Sequence, residues 1–185
     1  PSIDYQIPFG SLPRWFRRSD SQFPAVTSGF LRPDQDRVEV WRRRLGNDGR
    51  LNVGLAWRGG LAGTARLQRS LAARDLVASL ADLGVQLVCL QYGDVTQDLA
   101  EVEEHVGVSV HSGLSGMADL DDIAALTCAC DVVVTVCSTQ AHLTGALGRP
   151  GLVLVPGNPS WRYLHAGATI PWYPSLQLLR GSHDR

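Results

Sequence analysis

Two short stretches carry residue types that can hold a phosphate. In VCSTQAHLTGALGRP (136–150), Ser138 and Thr139 directly follow an apolar run and open a helix. Hydroxyls and free amide donors therefore converge at a positive helix end, which is a ready anion site. His142 lies on the first turn of that helix, where it can donate to a phosphate or simply pack. Serine and threonine at such positions are also ordinary caps. In WRGGLAGTARLQRS (57–70), Gly59, Gly60 and Gly63 let backbone amides approach a ligand, and Arg66 and Arg69 can make bidentate contacts to phosphate oxygens. This second stretch is neither a GxGxxG dinucleotide fingerprint nor a Walker loop, and a purely structural turn fits it equally well.

Both stretches need a frame that turns strand ends toward one crevice, and the chain has the pattern of one. LNVGLAW (51–57), VQLVCLQ (85–91), DVVVTVC (131–137), GLVLVP (151–156) and LQLL (176–179) are short apolar strands, with VSV (108–110) as a weaker one. Between them run helical stretches. One opens at Pro33, shows an apolar stripe of Val38, Trp41 and Leu45, and ends at Gly46 with Arg42–Arg44 in its last turn. A second is capped by Ser70, carries Leu71, Leu76, Val77, Leu80 and Leu83, and ends at Gly84. Further helices are expected over about 96–105, 120–129 and 140–148. Continuous apolar strands alternating with amphipathic helices predict an α/β, Rossmann-like parallel sheet with helices on both faces. Residues 1–31, rich in proline, aromatics and turn formers, read as an extended connector. The expected division is a connector and linking helix over 1–49 and a binding domain over 50–185.

Composition narrows the chemistry. The 185 residues contain 17 basic and 18 acidic side chains, for a net charge of -1, and all the basic ones are arginine. Near-neutrality offers no bulk field for nucleic acid or an anionic membrane. Without lysine, Schiff-base chemistry and a phosphate-binding lysine are excluded, so any phosphate-facing cation is an arginine. Cys89, Cys128, Cys130 and Cys137 lie in or beside apolar runs, and the Cys128–Cys130 spacing does not suit a metal. Free buried thiols, no disulfide and no metal are expected, in a soluble, cytoplasmic protein. No apolar run approaches the ~20 residues of a membrane span. The chain opens at Pro1 and its sole methionine is Met117, so a piece of a longer product is expected.

From Val53 to Arg180 the chain resembles the carboxy-terminal half of bacterial tetratricopeptide-linked glycosyltransferases, which are similar to O-GlcNAc transferases and, more distantly, to heptosyltransferases. VGLAWRGG, RSL, LVCLQYG, LDDIAALTCACDVVVTVCSTQAHLTGALGRP, PSWRYL and IPWYP carry the resemblance, and SLPRWF and DRVEVWRRRLG look like the connector. It implies a GT-B arrangement in which this half binds a nucleotide-sugar donor, commonly without a metal, while an amino-terminal half meets a protein or glycan acceptor. By position, Ser138, Thr139 and His142 match the motif that cradles the diphosphate, and Arg69 stands near a basic residue that stabilises the leaving nucleoside diphosphate. Trp57, Gly59 and Gly60 are expected beside the donor. Gln91, Tyr92 and the Met117–Asp119 turn resemble positions around base and ribose. Family members usually carry aspartate where Cys137 stands, and an Asn/His/Lys-rich stretch where this chain has GLAGTARLQ. A non-catalytic, degenerate interaction module beside tetratricopeptide repeats is the alternative. An oxidoreductase-type Rossmann domain is a third reading, opposed by Gln91 where an acidic residue would be needed.

Overall fold

A computed structural model of the chain describes residues 3–23, 28–60, 69–112 and 119–181. Five strands, β1 (Asn52–Ala56), β2 (Gln86–Cys89), β3 (Val132–Val136), β4 (Gly151–Val155) and β5 (Leu176–Arg180), form one sheet in the order β2-β1-β3-β4-β5. All four pairings are parallel. The strands are continuous apolar runs because both faces of a parallel sheet must be covered. The order reverses between β1 and β3, which lie side by side with Val53 opposite Val132 and Ala56 opposite Thr135. In such sheets ligands bind beyond the strand carboxyl ends at that reversal.

Helices α3 (Ala73–Ala78) and α4 (Thr96–Val106) cover one face, where Val53, Leu55 and Leu87 meet Leu76, Val77 and Val102. Helices α2 (Gln35–Leu45) and α5 (Leu120–Ala129) cover the other, through Val38, Trp41, Leu45, Ala125 and Leu126. Helix α6 (Thr139–Ala146) lies beside α5 and packs on β3 and β4. The β1 side chains alternate between the faces, and a Cβ at Gly54 would collide with Leu90 and approach Cys130 Sγ to 3.2 Å. Glycine at 54 is therefore a packing requirement of the α2/α5 face.

Several expected elements are displaced. Asp34, not Pro33, begins α2: its carboxylate accepts hydrogen bonds from the Asp36 and Arg37 amides, and the helix starts at Gln35. Ser70 does not cap α3, which starts three residues later at Ala73; the Ser70 Oγ instead accepts from the Gly59 amide at 3.1 Å. The predicted long helix is only six residues, followed by a 3₁₀ turn at Ala81–Leu83, so Leu71 and Leu83 are exposed. Residues 108–110 form no strand; the segment pairs with β2 through a parallel bridge between His111 and Val88. The connector is not merely extended either. It holds a short helix α1 (Pro13–Phe16) flanked by 3₁₀ turns at Phe9–Ser11 and Asp20–Gln22. It then docks on α6, whose Ala146 carbonyl accepts from the Phe30 and Leu31 amides at 2.8 and 3.0 Å.

Candidate functional site at the strand reversal

The crevice at the carboxyl ends of β1 and β3 is built from backbone. Beyond Ala56, Trp57 points into the core, 1% exposed, with its indole Nε1 donating to Asp98 at 3.2 Å. The expected donor-facing indole is thus a core side chain. The turn that follows is held by Gln91, itself 2% exposed, whose Oε1 accepts from the Trp57 and Arg58 amides at 3.1 and 2.8 Å. Gln91 positions the β1 exit and has no face left for a nucleobase. Gly59 is wedged: a Cβ there would stand 2.6 Å from the Cys137 carbonyl oxygen and 2.8 Å from that of Arg69. This contact brings the two phosphate-competent stretches together. Gly60 follows with φ +79°, in the left-handed region that favours glycine. Gly63, Arg66 and Met117, expected in or near the site, lie outside the described residues.

On the β3 side, Ser138 occupies the position before α6, but its hydroxyl is not a cap. It is buried and shares a hydrogen bond of 3.1 Å with the Thr135 hydroxyl. No capping bond from Ser138 competes for the first-turn amides of α6, which have no partner within the helix. Thr139 is exposed at that end. His142 is turned away into a buried polar chain. Its Nδ1 and Nε2 share hydrogen bonds of 3.3 Å with the Tyr173 and Tyr163 hydroxyls, while the Cys137 thiol donates to the Leu154 carbonyl at 3.8 Å. Burial, aided by the Arg162 guanidinium, lowers the His142 pKa below its ordinary value and keeps the ring neutral. Burial pushes the Cys137 thiol up to about 11, although Arg69 and Arg180 pull the other way. A neutral thiol therefore occupies the position where an aspartate was expected.

Two cavities flank this crevice. One, about 350 Å³, is lined by Tyr92, Leu120, Thr139 and Leu143 between the α5 and α6 starts. Asp119, expected there, caps α5 through the Asp121 amide and pairs with Arg37 of α2 at 2.5 Å. That pairing holds its carboxyl below the usual range and fixes the α5 start rather than projecting into the cavity. The second cavity, also about 350 Å³, lies at the ends of β3, β4 and β5, with Arg69 and Arg180 on its walls. Arg180 was not singled out in the sequence. It donates to the carbonyls of Tyr163, Leu164, Ala166 and Gly167 at 2.7–3.1 Å, clamping the loop beyond β4. Only its place at a strand end marked it. Among the described residues, no group of three or more His, Cys, Asp or Glu side chains is arranged to hold a metal. No helix among them is long and apolar enough to cross a membrane.

The architecture matches solved glycosyltransferases. E. coli ADP-heptose LPS heptosyltransferase II superposes with a TM-score of 0.59 at 17% identity, over 92% of this chain and 51% of that one. A family 9 glycosyltransferase from Veillonella parvula gives 0.56 at 18% identity, over 83% of this chain and 43% of that one. The fold is that of one Rossmann-like half of these GT-B structures. The E. coli heptosyltransferase WaaC with ADP-2-deoxy-2-fluoro heptose agrees less closely, at 0.50 and 20% identity over 78% of this chain and 41% of that one. No protein-family profile matches the chain. In sequence, Protein FlbA of Caulobacter vibrioides is 33% identical over 178 residues, which are 95% of this chain and 29% of that protein. The chain thus spans about half of the heptosyltransferase and under a third of FlbA.

Proposed function

We propose that this chain is the donor-binding half of a glycosyltransferase that moves sugar from a nucleotide-sugar to a protein or glycan acceptor. One observation carries the reading. The start of α6, whose first-turn amides Ser138 leaves uncapped, and the packed backbones of Gly59 and Arg69 meet at the reversal between β1 and β3, beside a cavity of nucleoside size. In this reading the base and ribose enter beside Tyr92 and Leu120. The diphosphate then meets the α6 amides and the Thr139 hydroxyl. Arg69 meets the charge that develops on the leaving phosphate, the task a divalent cation performs elsewhere. Gln91 and Ser138 hold the two strand exits in place without touching the donor. The ADP-heptose in the name of the superposed heptosyltransferase supports a nucleoside diphosphate ligand. The base and the remaining acceptor contacts belong, in the same proposal, to an amino-terminal half of a larger protein carrying tetratricopeptide repeats.

Calorimetric titration with millimolar UDP, GDP and ADP tests this. At least one should bind, and Arg69→Ala should weaken it by about 10- to 150-fold, the range of a charge-assisted contact of roughly 1.5–3 kcal/mol. Arg43→Ala, on the exposed side of α2, should change nothing. Silence from all three nucleotides, or equal effects of the two substitutions, rejects the donor site. The neutral Cys137 thiol favours one second reading, a donor fold kept as a non-catalytic interaction module. It predicts that no nucleotide binds.

A further inference from the structure

A second cavity system lies away from the strand reversal, where the connector meets the loop beyond β4. Arg14, Arg17 and Arg18 on and beside α1 share a cavity of about 380 Å³ with Trp161 and Trp172, and Asp20 is the one carboxylate on its wall among the described residues. The two indoles meet at 77° with centroids 5.9 Å apart, so they form a corner rather than a slot. Phe23 braces Trp172 edge-on at 4.7 Å, and the Arg162 guanidinium lies over Trp161 at 4.8 Å. A smaller cavity of about 180 Å³ shares Gly10, Pro13 and both tryptophans with the first and ends at His142. His142 is three residues along α6 from Thr139, about 4.5 Å of helix axis.

We propose that this groove binds a saccharide ring carrying an anionic group. Aromatic faces attract the polarised C–H edges of a pyranose, and an indole corner holds a thick ring on two sides, whereas a flat nucleobase would want two parallel faces. The guanidiniums supply bidentate donors for a carboxylate or phosphate on that ring. Proximity to the α6 start makes the bound saccharide the acceptor side of the transfer. The acceptor role rests on the donor reading above, but the binding does not.

The test uses the ¹⁵N-labelled 185-residue chain, with the indole N–H signals of Trp161 and Trp172 identified through Trp161→Phe and Trp172→Phe. Glucuronate, glucose 6-phosphate, glucose, inorganic phosphate and ADP are titrated at constant ionic strength. At least one anionic sugar should shift both signals saturably, at least tenfold more tightly than glucose or inorganic phosphate; whichever acts separates carboxylate from phosphate recognition. The double variant Arg14→Gln/Arg17→Gln should weaken that binding at least tenfold and leave nucleoside diphosphate affinity unchanged. Equal shifts by glucose or by inorganic phosphate, tighter action by ADP, no saturable shift, or indifference to the double variant would each overturn the proposal. Loss of nucleotide binding alone would overturn only the acceptor role.

Discussion

At the scale of single residues, the decisive feature is how much of the polar chemistry is spent on structure. His142 has both ring nitrogens bonded to tyrosine hydroxyls and sits against the rings of Tyr163 and Tyr173, with centroids 5.7 and 5.6 Å away. A neutral ring satisfies that arrangement, and a charged one would be desolvated beside Arg162. The folded pKa therefore lies below the unfolded value of 6.5. The unfolded chain binds the extra proton first, so this contribution to stability is intact above about pH 6.5 and is lost as pH falls toward the folded value. Thermal unfolding should show the midpoint dropping between pH 7.5 and pH 5. The slope from this one group cannot exceed about 1.4 kcal/mol per pH unit. His142→Gln keeps hydrogen-bonding capacity without the titration and should flatten the profile. An unchanged profile in that variant would mean that the ring titrates alike in the folded and unfolded states.

At the scale of elements, the strands and most helices were legible because the apolar pattern of a parallel sheet is dense: DVVVTVC and GLVLVP contain β3 and β4 almost residue for residue. What the pattern could not convey was which polar side chains serve backbone. Ser70, a good cap by type, is taken by the Gly59 amide eleven residues back, and Ser138 by the Thr135 hydroxyl of the strand it follows, so each hydroxyl has a partner other than the amides of the helix ahead of it. Gln91 and Arg180 act through carbonyls and amides far along the chain, which no local spacing reveals. The strand-end position of the site was readable, but its inner geometry was not. Gly59 concentrates this point, since its neighbours are two carbonyl oxygens that cannot swing aside. Gly59→Ala should cost about 1–3 kcal/mol as an overpacked site, lowering the melting temperature by several degrees, and weaken nucleotide binding at least tenfold. Gly10→Ala, with nothing within 4 Å of its Cβ position and no positive φ, should leave the melting temperature unchanged. A Gly59→Ala protein as stable as the parent would show that the β1 exit yields more easily than this packing implies.

At the scale of the whole molecule, the connector is tied to the sheet more firmly than its composition suggests. Helix α2 places Val38, Trp41 and Leu45 in the same buried cluster as Leu90, Leu126 and Val133, and Arg37 reaches across to Asp119. Ahead of it, the backbones at Gly29 and Gly148 pack so closely that a Cβ on either would strike the other strand of chain. Burying three large apolar side chains is worth about 1.5–3 kcal/mol each, against a total stability of about 5–15 kcal/mol for a domain. The lost cover would also leave the α5 side of the core open to water. We therefore expect a fragment of residues 50–185 to lose cooperative unfolding, seen as a flattened melt and binding of a hydrophobic dye, although the five strands are all present. Trp41→Ala in the full chain should cost about 3–5 kcal/mol, the usual penalty for emptying a large aromatic site. Residues 28–185, which keep α2 and its docking turn, should retain a sharp transition. A cooperative melt from 50–185 at the full chain's temperature would instead make the linking helix dispensable, and would place the folding boundary in the turn between Leu45 and β1.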